Sequence, residues 1–104
     1  MNSPDIRVAP CTAQLPAENP EQVLDAVAAA LADALARDRG EIARELTRRE
    51  HLASTGLEQG VAVPHCGLPD APGFAVGIVT TAHPVDFGAL DGGPSDIFAF
   101  VAGP

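Results

Sequence analysis

The chain has 104 residues, enough for one domain with a single hydrophobic core and too few for two. Its formal net charge is −8, and its six Lys or Arg residues are all arginines, scattered along the chain, which disfavours nucleic acid or an anionic membrane as the main partner. Hydrophobic residues make up 46% and the only aromatic ones are four phenylalanines, so the composition is that of a folded domain with an Ala, Val, Leu and Ile core.

The start, MNSPDIRVAP, lacks a charged segment leading into an apolar one, and no run approaches the roughly 18 apolar residues of a membrane span. The protein is therefore read as cytoplasmic. Cys11 and Cys66 form neither a CxxC pair nor a zinc spacing, and in a reducing compartment both are expected as free thiols. Residues 1–18 carry only a short apolar patch, Ile6 and Val8, and are expected to be an irregular entry to a domain spanning 19–104.

Asn19 and Pro20 form a helix start, with Gln22 placed as a capping-box partner. Leu24, Val27, Leu31 and Leu35 then recur on one helical face, which predicts a helix from Pro20 to Ala36, ended by Gly40 in a left-handed cap. A second helix is predicted over Glu41–Glu50. It turns Ile42 and Leu46 inward, with Arg49 near the core edge and Arg48 away from it. After a loop at 54–60, Val61 and Val63 alternate as a short strand that Pro64 terminates.

Phe74–Thr81 is nearly continuous in apolar and β-branched residues, as a strand covered on both faces would be. Pro84–Phe87 reads as a short edge segment, Asp91-Gly92-Gly93-Pro94 as a turn, and Asp96–Val101 as a last strand. Two helices are available to cover at least three strands, and if the last strand is buried on both faces, one sheet face lacks a cover.

Of the three histidines, His83 reads as a turn residue and His51 as a favourable charge at a helix C-terminus. His65 differs: Pro64 fixes the backbone before it, Gly67 leaves room after it, and an apolar strand holds the segment. An imidazole with a pKa of roughly 6.5 offers a neutral nucleophilic nitrogen to a phosphoryl group near neutral pH. Such a transfer needs positive charge or N–H donors at the phosphoryl oxygens, for which Arg49, Ser54, Thr55 and the amides of the glycine-bracketed loop are candidates. A metal held by His65 and Cys66, with or without His51, is disfavoured, because adjacent residues in an extended segment point in opposite directions. A Cys66 nucleophile has no local motif behind it.

The run RREHLASTGLEQGVAVPHCG carries Arg49-Glu50, Ser54-Thr55-Gly56, Gly60 and Ala62-Val63-Pro64-His65. It resembles the type-2 enzyme IIA domains (fructose, mannitol and nitrogen-regulatory class) of the phosphoenolpyruvate-dependent phosphotransferase system. The segment VDFGALDGGPSDIFAFVAGP is similar to that family's stretch after the active loop, and the resemblance runs from about residue 20 to the end.

The resemblance implies an α/β (α+β) fold, a mixed sheet flanked by helices. It further implies that His65 accepts a phosphoryl group from a histidine phosphocarrier protein, with Arg49 stabilising the group in transfer. His65 would then pass it to a IIB cysteine or hold it as a regulatory signal. No metal or organic cofactor is implied, and a membrane is reached only through a transporter partner. Family members continue into further helices and a second histidine that neither His51 nor His83 replaces. The expectation is thus a domain lacking its C-terminal helices, with a non-catalytic regulatory or protein-binding module of the same fold as the alternative.

Overall fold

The computed structural model describes residues 5–104. Two helices, α1 (Pro20–Leu35) and α2 (Arg39–Leu52), pack on a sheet of six strands: β1 (Ile6–Val8), β2 (Thr12–Leu15), β3 (Val61–Ala62), β4 (His65–Gly67), β5 (Phe74–Val85) and β6 (Ser95–Gly103). The long pair β5 and β6 is antiparallel and forms the centre. On one side β1 and β2 run parallel to β5; on the other β3 and β4 run parallel to β6. The six strands thus fill four columns of a mixed sheet, the fold class that the family resemblance implies.

The Asn19 side chain accepts a hydrogen bond from Gln22 N at 2.9 Å with Pro20 in the first helical position, so α1 begins where its capping residues dictate. Its apolar stripe, Val23, Leu24, Val27, Ala28, Leu31 and Leu35, is buried against the sheet and α2. The end of α1 departs from expectation. Ala36, not Gly40, takes the left-handed cap, at φ 54°, and Gly40 is the second residue of α2. Asp38 decides this: its carboxylate accepts from Glu41 N at 2.8 Å and starts α2 at Arg39. A β-carbon in the left-handed region is unfavourable by about 1 kcal/mol or more. Ala36→Gly is therefore expected to stabilise the domain by about 0.5 kcal/mol, read from denaturant midpoints.

Side chains alternate along the central hairpin. Ala75 and Val79 lie opposite Ala102 and Phe98, all buried under the helices, while Val76, Ile78 and Thr80 lie opposite Val101, Ala99 and Ile97 on the other face. That second face is only partly buried, and among the described residues no helix lies on it; Ile78 is 49% and Ile97 41% exposed. The strand expected to be covered on both faces is covered on one, which corrects the reading of Phe74–Thr81. A nearly continuous apolar run says only that both faces are apolar. The same strand continues through Pro84 to Val85, so the expected edge segment begins as its end.

Gly77 lies opposite Phe100, and a β-carbon there would meet the ring's Cζ at 2.3 Å, so only glycine fits under that ring. Phe98, fully buried, meets Phe87 edge to face at 5.1 Å. Phe98→Ala removes the largest side chain at the middle of the core and is expected to cost about 3–5 kcal/mol, measured by chemical denaturation.

The entry, expected to be irregular, supplies two strands over its described part; residues 1–4 lie outside the described residues. Its residues are mostly exposed and gain order from β5, through register pairs such as Ile6 with Phe74 and Thr12 with Val79. No helix is long and apolar enough to cross a membrane among the described residues.

Candidate functional site

The segment Val61–Gly67 crosses the edge of the sheet. The first strand ends ahead of Pro64 as expected, β3 pairing Val61 and Ala62 with Ile97 and Phe98, but pairing resumes after it on the same partner, β4 setting His65 beside Val101. Proline removes only one donor from the ladder, and Pro64 O still accepts from Val101 N at 3.2 Å. Burial alternates across it without a break. Ala62, Pro64 and Cys66 are buried, while Val61, Val63 and His65 are half-buried on the opposite face. The inward residue of β3 is therefore Ala62, and Val61 and Val63 share His65's face.

The register sets His65 on the face of Val101 and Val76, the sheet face without a helix. Its Nδ1 lies 2.8 Å from Val63 O. A carbonyl oxygen can only accept, so Nδ1 donates, and in the neutral tautomer this leaves the lone pair on Nε2. This is the ring state that a nucleophile needs. Gly67, two residues on, has open space around it.

Behind the loop, the end of α2 is fastened by the residues of the Arg-Glu and Ser-Thr-Gly runs. Arg49 is half-buried as expected and Arg48 exposed; Arg49 Nη1 donates to Ala53 O, the residue that ends α2, at 2.8 Å. The Glu50 carboxylate accepts from Thr55 N at 3.1 Å and from the Thr55 hydroxyl. Ser54 Oγ donates to Phe87 O at 2.5 Å and accepts from Gly56 N at 2.9 Å. Gly56 itself abuts the Ala89 backbone, where a β-carbon would come within 2.8 Å of Cα. The hydroxyl protons of Ser54 and Thr55 are thus engaged within the protein, and Thr55 is buried. No hydrogen bond joins Arg49 to His65 among the described residues; Arg49 uses one guanidinium nitrogen on Ala53 and keeps further donors.

A second stitch holds the loop before β3. The Asp91 carboxylate accepts from Gly93 N at 2.9 Å and Gln59 N at 3.0 Å, and these backbone donors hold its pKa below the ordinary value. The Leu-Asp-Gly turn thereby fixes both the β5–β6 connection and the 58–60 turn, whose Gly60 O accepts from Asp96 N and Ile97 N.

Cys11 is an exposed free thiol on the sheet face that His65 shares, lining a groove with Val63, Val76 and Val101; the other reactive side chains lie apart. His51 is exposed in the last turn of α2, and His83 is exposed near the end of β5. Cys66 faces the helices, opposite to His65; burial, with Glu45's charge adding to it, pushes its thiol up to about 11, so it stays protonated near neutral pH. A groove between α1 and α2 is lined by Glu21, Asp25, Glu50 and His51, among others, but by neither His65 nor Arg49. Its carboxylates repel a phosphoryl dianion.

The sequence profile of the family described as phosphoenolpyruvate-dependent sugar phosphotransferase system, EIIA 2, matches residues 11–104. The chain belongs to this family. It is 37% identical over 84 residues to a nitrogen regulatory protein of Pseudomonas aeruginosa, covering 80% of this chain and 54% of that protein. It is 32% identical over 84 residues to one of Bradyrhizobium diazoefficiens, covering 81% and 55% respectively. The chain thus spans about half the length of these relatives. Its fold is similar to the crystal structure of nitrogen regulatory protein IIA-Ntr from Neisseria meningitidis, with a TM-score of 0.83 and 24% identity over 94% of this chain and 65% of that one.

Proposed function

We propose that this chain is a phosphoryl-accepting domain of the phosphotransferase system in which His65 carries the group as a regulatory signal or relays it onward. The observation that carries this reading is the hydrogen bond from His65 Nδ1 to Val63 O, because in the neutral ring it assigns the lone pair to Nε2, on the sheet face without a helix. The donor is the phosphohistidine of a histidine phosphocarrier protein. His65 Nε2 attacks phosphorus with its lone pair, the donor's N–P bond breaks, and its electron pair returns to the donor imidazole, which then takes up a proton. As the new N–P bond forms, the His65 ring gains positive charge and its Nδ1–H bond to Val63 O becomes charge-assisted.

Arg49 is the cation assigned to the phosphoryl oxygens, and its hydrogen bond to Ala53 anchors it beside the loop. Ser54 and Thr55 serve as loop supports, since their hydroxyls are already engaged. The recipient is a IIB cysteine or a regulatory target protein. The names of the relatives favour the regulatory branch over sugar uptake. A second reading, a module of this fold that binds a partner without accepting phosphoryl, is favoured by the apolar sheet face on which His65 lies.

Incubation with phosphoenolpyruvate, enzyme I and the phosphocarrier separates the two. The intact mass should rise by one phosphoryl group, and an unchanged mass in a folded sample would overturn the phosphoryl-accepting reading.

A further inference from the structure

The geometry points to Glu50 and Thr55 as positioning residues that select the tautomer of His65 through a relay of hydrogen bonds, an inference that rests on His65 being the acceptor. Four links are in place. The Glu50 carboxylate holds Thr55 by its backbone N and its hydroxyl; Thr55 O accepts from Val63 N at 3.0 Å; Val63 O accepts from His65 Nδ1 at 2.8 Å. The relay thus runs from the last turns of α2 to the ring of the nucleophile.

The direction of the Val63 carbonyl is the decisive link, and two constraints set it. On its N-terminal side, Val63 N is tied to Thr55 O within a small antiparallel ladder, in which Leu57 N also donates to Val61 O at 2.8 Å and Gly56 bridges Ala62. On its C-terminal side, Pro64 confines the backbone of the residue before it to extended conformations, and its ring is buried. With both ends fixed, the carbonyl points at Nδ1.

A free neutral imidazole side chain prefers the proton on Nε2, which would block the nucleophilic nitrogen. Here the acceptor on the Nδ1 side reverses that preference, because the hydrogen bond of one ring nitrogen decides the state of the other. Thr55 is buried, and a buried hydroxyl needs a partner that the Glu50 carboxylate supplies. Glu50 is half-buried in the last turn of α2 and bonds the loop residue Thr55, so it ties the helix to the loop. It does not touch the ring or the reacting atoms and acts only through Thr55 and Val63.

The test reads the tautomer directly, by long-range nitrogen–proton NMR of His65 in the full chain above its pKa. The wild type should show a protonated Nδ1 and an unprotonated Nε2. Glu50→Ala should move the ring toward the Nε2-protonated form and slow phosphoryl uptake about tenfold, as misplaced reacting groups do. Glu50→Gln should restore both, since its amide can accept from Thr55 N and donate to the hydroxyl oxygen. Thr55→Val removes the hydroxyl alone, should shift the tautomer in the same sense by less, and serves as the probe if Glu50→Ala does not fold.

An unshifted tautomer in folded Glu50→Ala or Thr55→Val would overturn the relay, as would a Glu50→Gln variant as impaired as Glu50→Ala, which would mean that charge and not geometry matters. A tautomer that shifts as described in a protein that takes up no phosphoryl group would uphold the relay and refute the proposed function instead.

Discussion

His65→Ala is expected to abolish phosphoryl uptake while leaving the domain folded. The ring makes one hydrogen bond within the described structure, to Val63 O, and is only half-buried, so its removal costs stability about 1 kcal/mol. Against a total of roughly 5–15 kcal/mol for a domain of this size, that loss leaves the native state dominant at room temperature. Uptake falls to nothing because neither Cys66 nor the other two histidines stand where they could replace the nitrogen. Cys66 points to the helix side with its thiol pushed up to about 11, and His51 and His83 belong to the end of α2 and of β5. A quantitative radiolabel transfer from the phosphocarrier, run beside a thermal melt, checks both halves. Residual labelling of His65→Ala at the wild-type rate would move the acceptor elsewhere.

Arg49→Ala is expected to slow uptake by about a hundredfold with little change in stability. Removal of one preorganised donor from a site where charge develops typically lowers a rate 10²–10³-fold. The structural role of Arg49 is smaller: one hydrogen bond to Ala53 O at a solvent-exposed helix end, about 1 kcal/mol or less. Transfer rates and denaturant midpoints measured on the same sample distinguish the roles. A lowered midpoint with an unchanged rate would make Arg49 a helix-end brace and nothing more. Arg49→Lys is informative beside it, since it keeps the charge but loses the planar array of donors.

The helices were legible because their signals are local. Asn19, Pro20 and the leucine stripe announce α1, and the side chains observed in the core are those of the stripe with Val23, Ala28 and Ala30 added. The span of α1 follows from its sequence but its left-handed cap does not, because the polar cap at Asp38 starts α2 ahead of Gly40 and leaves Ala36 to adopt that conformation. Strands β1 and β2 have no local signal: three and four residues long and mostly exposed, they are strands because β5 lies beside them.

At the site, His65 stood out through Pro64 and the alternation before it, but alternation alone does not say which of two faces is inside. Ala62 is small enough to pass unnoticed between two valines, yet it is the residue that packs inward, and this places His65 on the open face. Arg49's half-burial followed from helical spacing. The relay through Glu50, Thr55 and Val63 was not legible, since its middle link is a backbone ladder between residues 55–57 and 61–63 that no side-chain pattern encodes.

The most direct measurement is phosphorus–proton correlation NMR on the chain after reaction with phosphoenolpyruvate, enzyme I and the phosphocarrier. A single phosphohistidine signal coupled to the His65 ring through Nε2, with Nδ1 still protonated toward Val63, is the expected result. Phosphorus bonded to Nδ1, to another residue, or to none would contradict it.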